Sequence, residues 1–166
     1  MSKILHIIRH AKSDWSHECA DFDRGLNKRG YADAKLIGQY LAEYNYSIEK
    51  VFCSSARRAR ITLEELNRFL KLPSESIQFI DALYLASRST LAGFIEQVDN
   101  QYNQIAIVGH NPGLTELCYF FTGDYLQNLP TCGVYSIEFN VDDWQAVGCD
   151  IGITSQFITP RKLKDG

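Results

Sequence analysis

The segment Ile105-Ala106-Ile107-Val108-Gly109-His110-Asn111-Pro112-Gly113 joins an uninterrupted apolar run to a polar turn and the start of a helix. The run lacks polar alternation, which is typical of a parallel strand buried on both faces of a sheet. Asn111 is a suitable N-cap and Pro112 suits the first helical position, so we expect a helix to follow directly. The segment therefore predicts a strand–helix unit with His110 at the junction.

The chain before this unit repeats the alternation of strand and helix. Short apolar runs predict strands at 3–8, 50–53, 76–80 and 105–108. Helices are predicted after the N-cap Asn27, from Ala56 to Lys71, after Ser87 or Ser89, and after Asn111. In each predicted helix, apolar residues recur every three or four positions and form one face. In chain order the four faces are Ala34, Ile37, Leu41 and Tyr44; Ala59, Leu63, Leu66 and Leu70; Leu91, Phe94, Ile95 and Val98; and Leu114, Leu117, Cys118 and Phe121.

The last part of the chain has a different pattern. Val134–Phe139 and Trp144–Cys149 flank Asn140–Asp143 and predict an antiparallel hairpin at the edge of the sheet. The predicted fold class is therefore α/β, a three-layer α/β/α sandwich with a mostly parallel sheet and a C-terminal antiparallel hairpin. A length of 166 residues predicts a single domain over 1–166.

Composition narrows the function classes. The chain is 45% hydrophobic and 22% charged, as in soluble globular proteins, and its net charge of −3 offers no basic field for nucleic acid or anionic lipid. Five cysteines without a C-x-x-C pair are expected to be reduced and mostly buried. The first apolar run ends at Ile8, too short for a signal peptide or a membrane span, so we expect a cytoplasmic protein without membrane partners.

Two arginines and two histidines follow separate predicted strands. Arg9 and His10 end the first strand, Arg58 follows the second, and His110 follows the strand at 105–108. In a parallel α/β sheet, ligands bind beyond the carboxyl ends of the strands, where these four residues are expected to converge. Guanidinium groups bind phosphate oxygens bidentately, so the four residues predict a pocket for a phosphoryl group.

The residue types suggest distinct roles in this pocket. A neutral imidazole attacks phosphorus when its other nitrogen is fixed by a hydrogen bond, and His10 is the candidate nucleophile. Arg9 and Arg58 are candidates for holding the phosphate, and protonated His110 for stabilising the transition state. Ser13 and Asn111 complete the candidate substrate-binding set.

Other readings of the polar residues are less well supported. His6 lies inside the first strand and is expected to be a buried, hydrogen-bonded histidine, while His17 is expected on the surface. His6 and His10 are four strand residues apart, roughly 13 Å, too far to share one metal ion. The chain has no phosphate-binding G-x-x-x-x-G-K-[ST] loop, no G-x-G-x-x-G and no G-x-S-x-G. We therefore expect no metal and no cofactor.

Six ordered segments resemble the histidine phosphatase superfamily, also called the phosphoglycerate mutase-like family, and most of all its SixA-like phosphohistidine phosphatase branch. The segments are Arg9-His10-Ala11-Lys12-Ser13-Asp14-Trp15, Asp21-Phe22-Asp23-Arg24-Gly25-Leu26-Asn27, Arg58-Ala59-Arg60, Leu83-Tyr84-Leu85-Ala86, Gly109-His110-Asn111-Pro112-Gly113 and Phe157-Ile158-Thr159-Pro160. Ala11 replaces the usual glycine of the R-H-G triplet. Ile61 replaces a usual glutamine after Arg58, so either Arg57 or Arg58 matches the second family arginine, and we favour Arg58.

The resemblance implies that His10 is phosphorylated, that Arg9 and Arg58 hold the phosphate, and that His110 completes the pocket. Many relatives carry a glutamate acid on an inserted lid, but 51 residues separate Arg58 from His110 here, too few for a lid beside a helix, strand and helix. Asp81 is the nearest candidate acid. An open site without an obvious acid favours protein phosphohistidine, of the histidine phosphotransfer type, with inorganic phosphate as product.

Three questions stay open at this point. The substrate is either a phosphorylated protein or a small phosphorylated metabolite. Alternatively, the protein is not an enzyme but a module that binds phosphate without turnover. The cluster Asp14, Asp21, Asp23 and Arg24 either braces its loop or contacts substrate.

Overall fold

The computed structural model describes residues 2–166, which form a six-stranded sheet with helices on both faces. In chain order the elements are β1 (Lys3–Arg9), α1 (Lys28–Glu43), β2 (Lys50–Ser54), α2 (Arg57–Leu70), β3 (Ile77–Ile80), α3 (Arg88–Glu96), β4 (Gln104–Gly109), α4 (Gly113–Thr122), β5 (Val134–Phe139), β6 (Gly152–Ile158) and α5 (Pro160–Asp165). The strand order is β3-β2-β4-β1-β5-β6. The first four strands in that order pair in parallel, and β5 and β6 add antiparallel pairings. The predicted fold class is confirmed.

The two faces of the sheet carry separate apolar cores. On one face α1 packs against α2 and α5, and buried members of this core include Ile37, Leu41 and Leu66. On the other face α3 packs against α4, with Leu91 and Leu117 in the core. Because parallel strands are covered on both sides, β4 is buried along nearly its whole length, as its unbroken apolar run predicts.

The crossover directions create a crevice between β1 and β4. These strands are adjacent and parallel, and the register pairs Arg9 with Gly109. The chain leaves β1 toward the face covered by α1, and it leaves β4 toward the opposite face covered by α4. At such a switch point the two loops diverge and leave an opening at the carboxyl ends of the strands. The next residues of the two strands, His10 and His110, therefore stand side by side at this opening.

Two details differ from the sequence predictions, and one alternative is decided. Tyr44 is 58% exposed, because α1 ends one residue earlier and Tyr44 is its C-cap. The fourth helix begins at Gly113 with Pro112 as its N-cap residue, while the Asn111 side chain accepts from the Thr115 amide further along. Of the two predicted caps for α3, Ser87 is the one used, accepting from the amide of Thr90.

The predicted hairpin is wrong in its second strand. Trp144–Ala146 is a short 3-10 turn, and the strand that pairs with β5 is Gly152–Ile158. The Trp144 side chain is buried, and its indole N–H donates to the carbonyl of Tyr102 at 2.8 Å. Tryptophan has a high strand propensity, but burying this large ring in the core beside α3 is more favourable than extending the segment as a strand.

The five cysteines are free thiols in the structure. Cys53, Cys118 and Cys132 are buried, and Cys19 and Cys149 are exposed. Burial raises the pKa of the three buried thiols above the ordinary value. They therefore act as small apolar core groups, as expected from the absence of paired motifs. Over residues 2–166, no helix is both long and apolar enough to cross a membrane.

A buried ion pair ties the C-terminal helix α5 to α1. Asp33 is 1% exposed, with Lys164 Nζ at 2.7 Å from Oδ1 and Arg29 Nε at 3.5 Å from Oδ2. We expect Lys164→Ala to lower the free energy of unfolding by about 1–3 kcal/mol, because it leaves a buried carboxylate short of a partner. Arg161→Ala is the matched control on the same helix, since its pair with Asp165 is on the surface and is worth under about 1 kcal/mol. Urea unfolding measures both losses, and equal losses would contradict the assignment.

Candidate active site

The first group at the opening between β1 and β4 is His10, which follows β1 and is buried. Its Nδ1 lies 2.8 Å from the carbonyl oxygen of Ala11. A carbonyl only accepts, so Nδ1 carries the proton, and in the neutral ring the electron pair is on Nε2. This is the tautomer that a nucleophilic imidazole needs.

The main chain of Ala11 is held in place through its amide by Thr62. The Ala11 amide donates to Thr62 Oγ1 at 2.9 Å, and that hydroxyl donates to the Arg58 carbonyl at 2.7 Å. The Thr62 side chain is fully buried in α2. Through this residue the first turn of α2, which carries Arg58, and the turn after β1, which carries His10, are fixed relative to one another.

His110 lies beside His10, with 5.3 Å between the ring centroids. Its Nε2 is 2.8 Å from Ser54 Oγ, at the end of β2. The other ring nitrogen, Nδ1, is buried and has no hydrogen-bond partner among the described residues. Unpaired buried polar atoms are costly, so a ligand at the opening that pairs with this nitrogen would be stabilised.

Arg9 also has a buried nitrogen without a hydrogen-bond partner. Its Nη1 donates to the Leu129 carbonyl at 3.0 Å, which anchors one end of the guanidinium. Its Nε is buried and unpaired in the described part of the chain. Burial, followed by repulsion from Arg58, lowers the pKa of Arg9, so an anion at this point would relieve both effects.

Arg58 and its neighbour Arg57 point to different places. Arg58 is 5% exposed and contributes to the electrostatics of both His10 and His110. Arg57 is exposed and its Nη1 lies 3.4 Å from the Asp23 carbonyl, in the loop before α1. Of the two, Arg58 is the one that the structure brings to the histidines.

Asp21 and Tyr84 form a contact over Arg58 that the sequence reasoning did not assign to the pocket. Arg58 donates to the Asp21 carbonyl at 2.8 Å and to Asp21 Oδ2 at 3.0 Å, and Tyr84 donates to the same Oδ2 at 2.5 Å. The Tyr84 ring also stands edge-on to His110, with centroids 5.5 Å apart. Both residues lie in segments quoted for the family resemblance, but nothing in their spacing indicates that the two loops meet.

The loop after β3 reaches this position because of a glycine. A Cβ on Gly113 would lie 2.1 Å from the Ala86 carbonyl oxygen, so only glycine allows the start of α4 to approach this loop. The contact brings Tyr84 next to His110. It joins the segment Leu83-Tyr84-Leu85-Ala86 to the segment Gly109-His110-Asn111-Pro112-Gly113.

Ser13 and Asn111 make contacts of other kinds. Ser13 forms a bridge with Leu26, and its hydroxyl accepts from Trp15 Nε1 at 3.0 Å. Asn111 Nδ2 donates to the Leu129 carbonyl at 3.0 Å, which is also the anchor of Arg9. Asn111 therefore supports Arg9 through a shared acceptor, and substrate binding by either side chain stays a prediction.

The remaining histidines and the acidic loop are placed as follows. His6 is buried between Ser136 Oγ at 2.7 Å and Gln104 Oε1 at 3.2 Å, as expected of a structural histidine, and His17 is exposed. In the loop cluster, Arg24 donates to the Asp14 carbonyl and stacks on Trp15, which braces the loop. Within residues 2–166, no three His, Cys, Asp or Glu side chains are grouped so as to hold a metal ion.

Burial and cationic neighbours control the charge of both site histidines. Burial is the largest cause that lowers the pKa of His10 to about 4, with Arg58 and Arg9 adding repulsion against the Ala11 hydrogen bond. Burial, then repulsion from His10 and Arg58, lowers the pKa of His110 to about 3. Without a ligand both rings are therefore neutral near pH 7, and a bound dianion would favour proton uptake by His110.

These pKa values predict a loss of stability on acidification. The unfolded histidines bind a proton near pH 6.5, whereas folded His10 and His110 do so only near 4 and 3, and burial lowers the pKa of His6 as well. Below about pH 7 the unfolded state therefore holds more protons, so the free energy of unfolding falls as the pH is lowered toward 4. We expect a lower urea midpoint at pH 5 than at pH 7, and a smaller difference in the His10→Asn/His110→Asn double variant. An equal pH dependence in the two proteins would contradict these values.

Comparison with known proteins identifies the family of the chain. A family model described as "Histidine phosphatase superfamily (branch 1)" matches residues 5–83, which include Arg9, His10 and Arg58. The chain belongs to the histidine phosphatase superfamily. An uncharacterized protein of Mycobacterium leprae is 29% identical over 167 aligned positions, covering 93% of this chain and 100% of that protein.

Solved structures place the chain more narrowly. The protein histidine phosphatase SixA complexed with tungstate superposes with a TM-score of 0.83 at 22% identity, covering 96% of this chain and 99% of that one. The SixA protein of Agrobacterium tumefaciens superposes with a TM-score of 0.82 at 26% identity, covering 95% and 98%. Within the superfamily this chain is SixA-like, which confirms the resemblance found in the sequence.

Proposed function

We propose that the protein is a phosphatase that works through a phosphohistidine intermediate on His10 and that its substrate is phosphohistidine on a protein. The observation that carries the chemistry is the fixed tautomer of His10 in a pocket with two buried, unpaired nitrogens, Arg9 Nε and His110 Nδ1. A nucleophile with a free electron pair, beside a guanidinium N–H and an imidazole nitrogen that have no protein partner, fits a phosphoryl group.

The reaction proceeds in two displacements. His10 Nε2 attacks phosphorus and forms a P–N bond, while the bond to the leaving group breaks and its electron pair goes to the leaving nitrogen, which takes a proton from solvent. Water then attacks the phosphorus, the P–Nε2 bond breaks and its electron pair returns to Nε2, while the water protons stay on the departing inorganic phosphate or pass to solvent. Arg9, Arg58 and His110 stabilise the charge on the equatorial oxygens in both steps.

The absence of an evident proton donor favours phosphoramidate substrates. Asp21 is the carboxyl group that contacts the pocket residue Arg58, and hydrogen bonds from Tyr84 and Arg58 lower its pKa, so it is ionised and does not donate a proton at neutral pH. Asp81, the candidate acid from the sequence, is exposed to solvent in a short turn after β3. An imidazole leaves as a neutral ring once its nitrogen is protonated, whereas an alkoxide needs a stronger acid.

The path of the chain around the site supports a protein substrate. The residues between Arg58 and His110 form the rest of α2, then β3, α3 and β4, all of which belong to the sheet and its two layers. Within residues 2–166 no inserted domain lies over the carboxyl ends of β1 and β4, and the loop after β3 places Tyr84 beside the opening. Such an opening suits a side chain presented by another protein.

The test is a comparison of phosphate release from a phosphohistidine peptide and from p-nitrophenyl phosphate, both with a chelator. We expect release from the peptide, unchanged in His17→Ala, where the replaced histidine is exposed and outside the pocket. Faster release from the aryl ester would favour a phosphatase of small metabolites. Binding of phosphate without release from either substrate would indicate a binding module.

A further inference from the structure

Asp21 contacts both Arg58 and Tyr84, and the geometry of these contacts indicates what Asp21 does in the site. Asp21 lies in a 3-10 turn, Asp21–Asp23, within the loop between β1 and α1, and Tyr84 follows β3. The two loops follow different strands of the sheet, β1 and β3. We propose that Asp21, oriented by Tyr84, is a positioning residue that presents the guanidinium of Arg58 to the phosphoryl group, and not the general acid of the reaction.

The number of bonds to Arg58 supports this role. Two hydrogen bonds of its guanidinium end on Asp21, one on the main-chain carbonyl and one on the carboxylate. A guanidinium has five N–H donors in a rigid plane, so two fixed donors define the orientation of the other three. Asp21 thus holds the flexible Arg58 side chain in one orientation before substrate binds, so binding does not require the guanidinium to be ordered.

Tyr84 fixes the carboxylate in turn. Oδ2 of Asp21 accepts from Tyr84 and from Arg58, so the tyrosine hydroxyl points at the same oxygen as the guanidinium. The aromatic ring is in edge contact with Phe22 on one side, 5.1 Å between centroids, and with His110 on the other, 5.5 Å. These contacts limit the movement of Tyr84, and through Oδ2 they limit that of Asp21.

The charge of Asp21 argues against its acting as an acid. The Tyr84 hydrogen bond is the largest cause that lowers the pKa of this carboxyl, and Arg58 and Arg24 lower it further. A general acid needs the opposite shift, a pKa raised toward the working pH. The same two donors that position Asp21 therefore keep it ionised.

The matched variants are Asp21→Asn and Asp23→Asn, two acidic residues of the same short turn. Asp23 is exposed, and its contact with Arg57 runs through the main-chain carbonyl, which the substitution retains. We expect Asp21→Asn to weaken the binding of inorganic phosphate, measured by calorimetry, by about 10-fold or more, because it removes the charge from the side-chain hydrogen bond to Arg58 and retains the main-chain bond. Asp23→Asn is expected to bind phosphate within about twofold of the parent.

Kinetics with aryl phosphates of different leaving groups separate positioning from acid catalysis. Loss of an acid harms the poorer leaving group most, whereas loss of positioning lowers kcat/KM by the same factor for p-nitrophenyl and phenyl phosphate. Tyr84→Phe keeps the ring and removes the hydroxyl, and we expect a smaller loss of about 3- to 10-fold. The double variant with Asp21→Asn should be no worse than Asp21→Asn alone, because both changes act through one oxygen.

This inference rests on the proposed function, but its test does not depend on turnover. If the parent releases no phosphate from any substrate, the phosphatase proposal fails while the phosphate affinities still report on Asp21. Unchanged phosphate affinity in Asp21→Asn, a larger kinetic loss on phenyl phosphate, or an equal loss in Asp23→Asn would each overturn the positioning role.

Discussion

Replacing His10 by asparagine is expected to lower kcat by at least about 10⁴-fold on the best substrate, because the variant has no atom that can form the P–N bond. Asparagine is close in size to histidine, and its amide can still donate to the Ala11 carbonyl. The pocket should therefore persist. Brief exposure to ³²P-labelled substrate followed by acid-free electrophoresis measures the intermediate, which we expect in the parent and not in the variant.

The control for this experiment is His17→Asn, which removes an exposed histidine from the loop between β1 and α1. It should retain both labelling and turnover. Retained turnover in His10→Asn would show that water, or another residue, attacks phosphorus directly. Loss of turnover could also come from a misfolded pocket, so the binding of phosphate by the variant is measured to show that the pocket is intact.

The second large effect is expected at Arg58. Arg58→Ala should lower kcat/KM by about 10³-fold, since an arginine that stabilises a phosphoryl transition state contributes 10³ or more. The substitution also removes the partner of Asp21 and leaves that carboxylate with Tyr84 as its donor. Phosphate release under subsaturating substrate measures the effect.

Arg57→Ala is the matched control, one residue away and identical in type. Its side chain is exposed and lies toward Asp23, so we expect a change of at most about twofold. A larger loss in Arg57→Ala than in Arg58→Ala would mean that the second phosphate-binding arginine is Arg57. The two variants together therefore decide which arginine corresponds to the second arginine of the family, a question that the sequence left open.

Local patterns in the sequence were sufficient for the parallel part of the fold. The apolar run at 105–108, the Asn27 cap and the helical stripes of α1 to α4 each identify their element, because burial on two faces or one face leaves a distinct periodicity. The second antiparallel strand was wrong because Trp144 and its neighbours have a strand-like composition. Only packing against Asn100 and Tyr102, some 40 residues earlier, shows that this segment turns instead.

The same division applies to the candidate site. Arg9, His10, Arg58 and His110 could be found from sequence, because each follows a strand and the carboxyl ends of parallel strands share one edge of a sheet. Asp21 was predicted only as a member of a loop cluster of open role, and its contact with Arg58 and Tyr84 could not be found, because irregular loops have no periodicity that links a residue to its neighbours in space. Ser13 and Asn111 were candidates by proximity in the chain, and their hydrogen bonds are to the protein itself.

The sequence by itself determined the family, the order of strands and helices in the parallel part and the four charged or imidazole groups at the sheet edge, since these depend on short motifs and on repeating burial. The tertiary structure decided which of two adjacent arginines faces the histidines, which ring nitrogen of His10 carries the proton, and which carboxylate holds Arg58. Each of these depends on a hydrogen bond between segments far apart in the chain, such as Ala11 with Thr62 and Asp21 with Tyr84. Such contacts are set by how the layers pack and leave no local pattern to read.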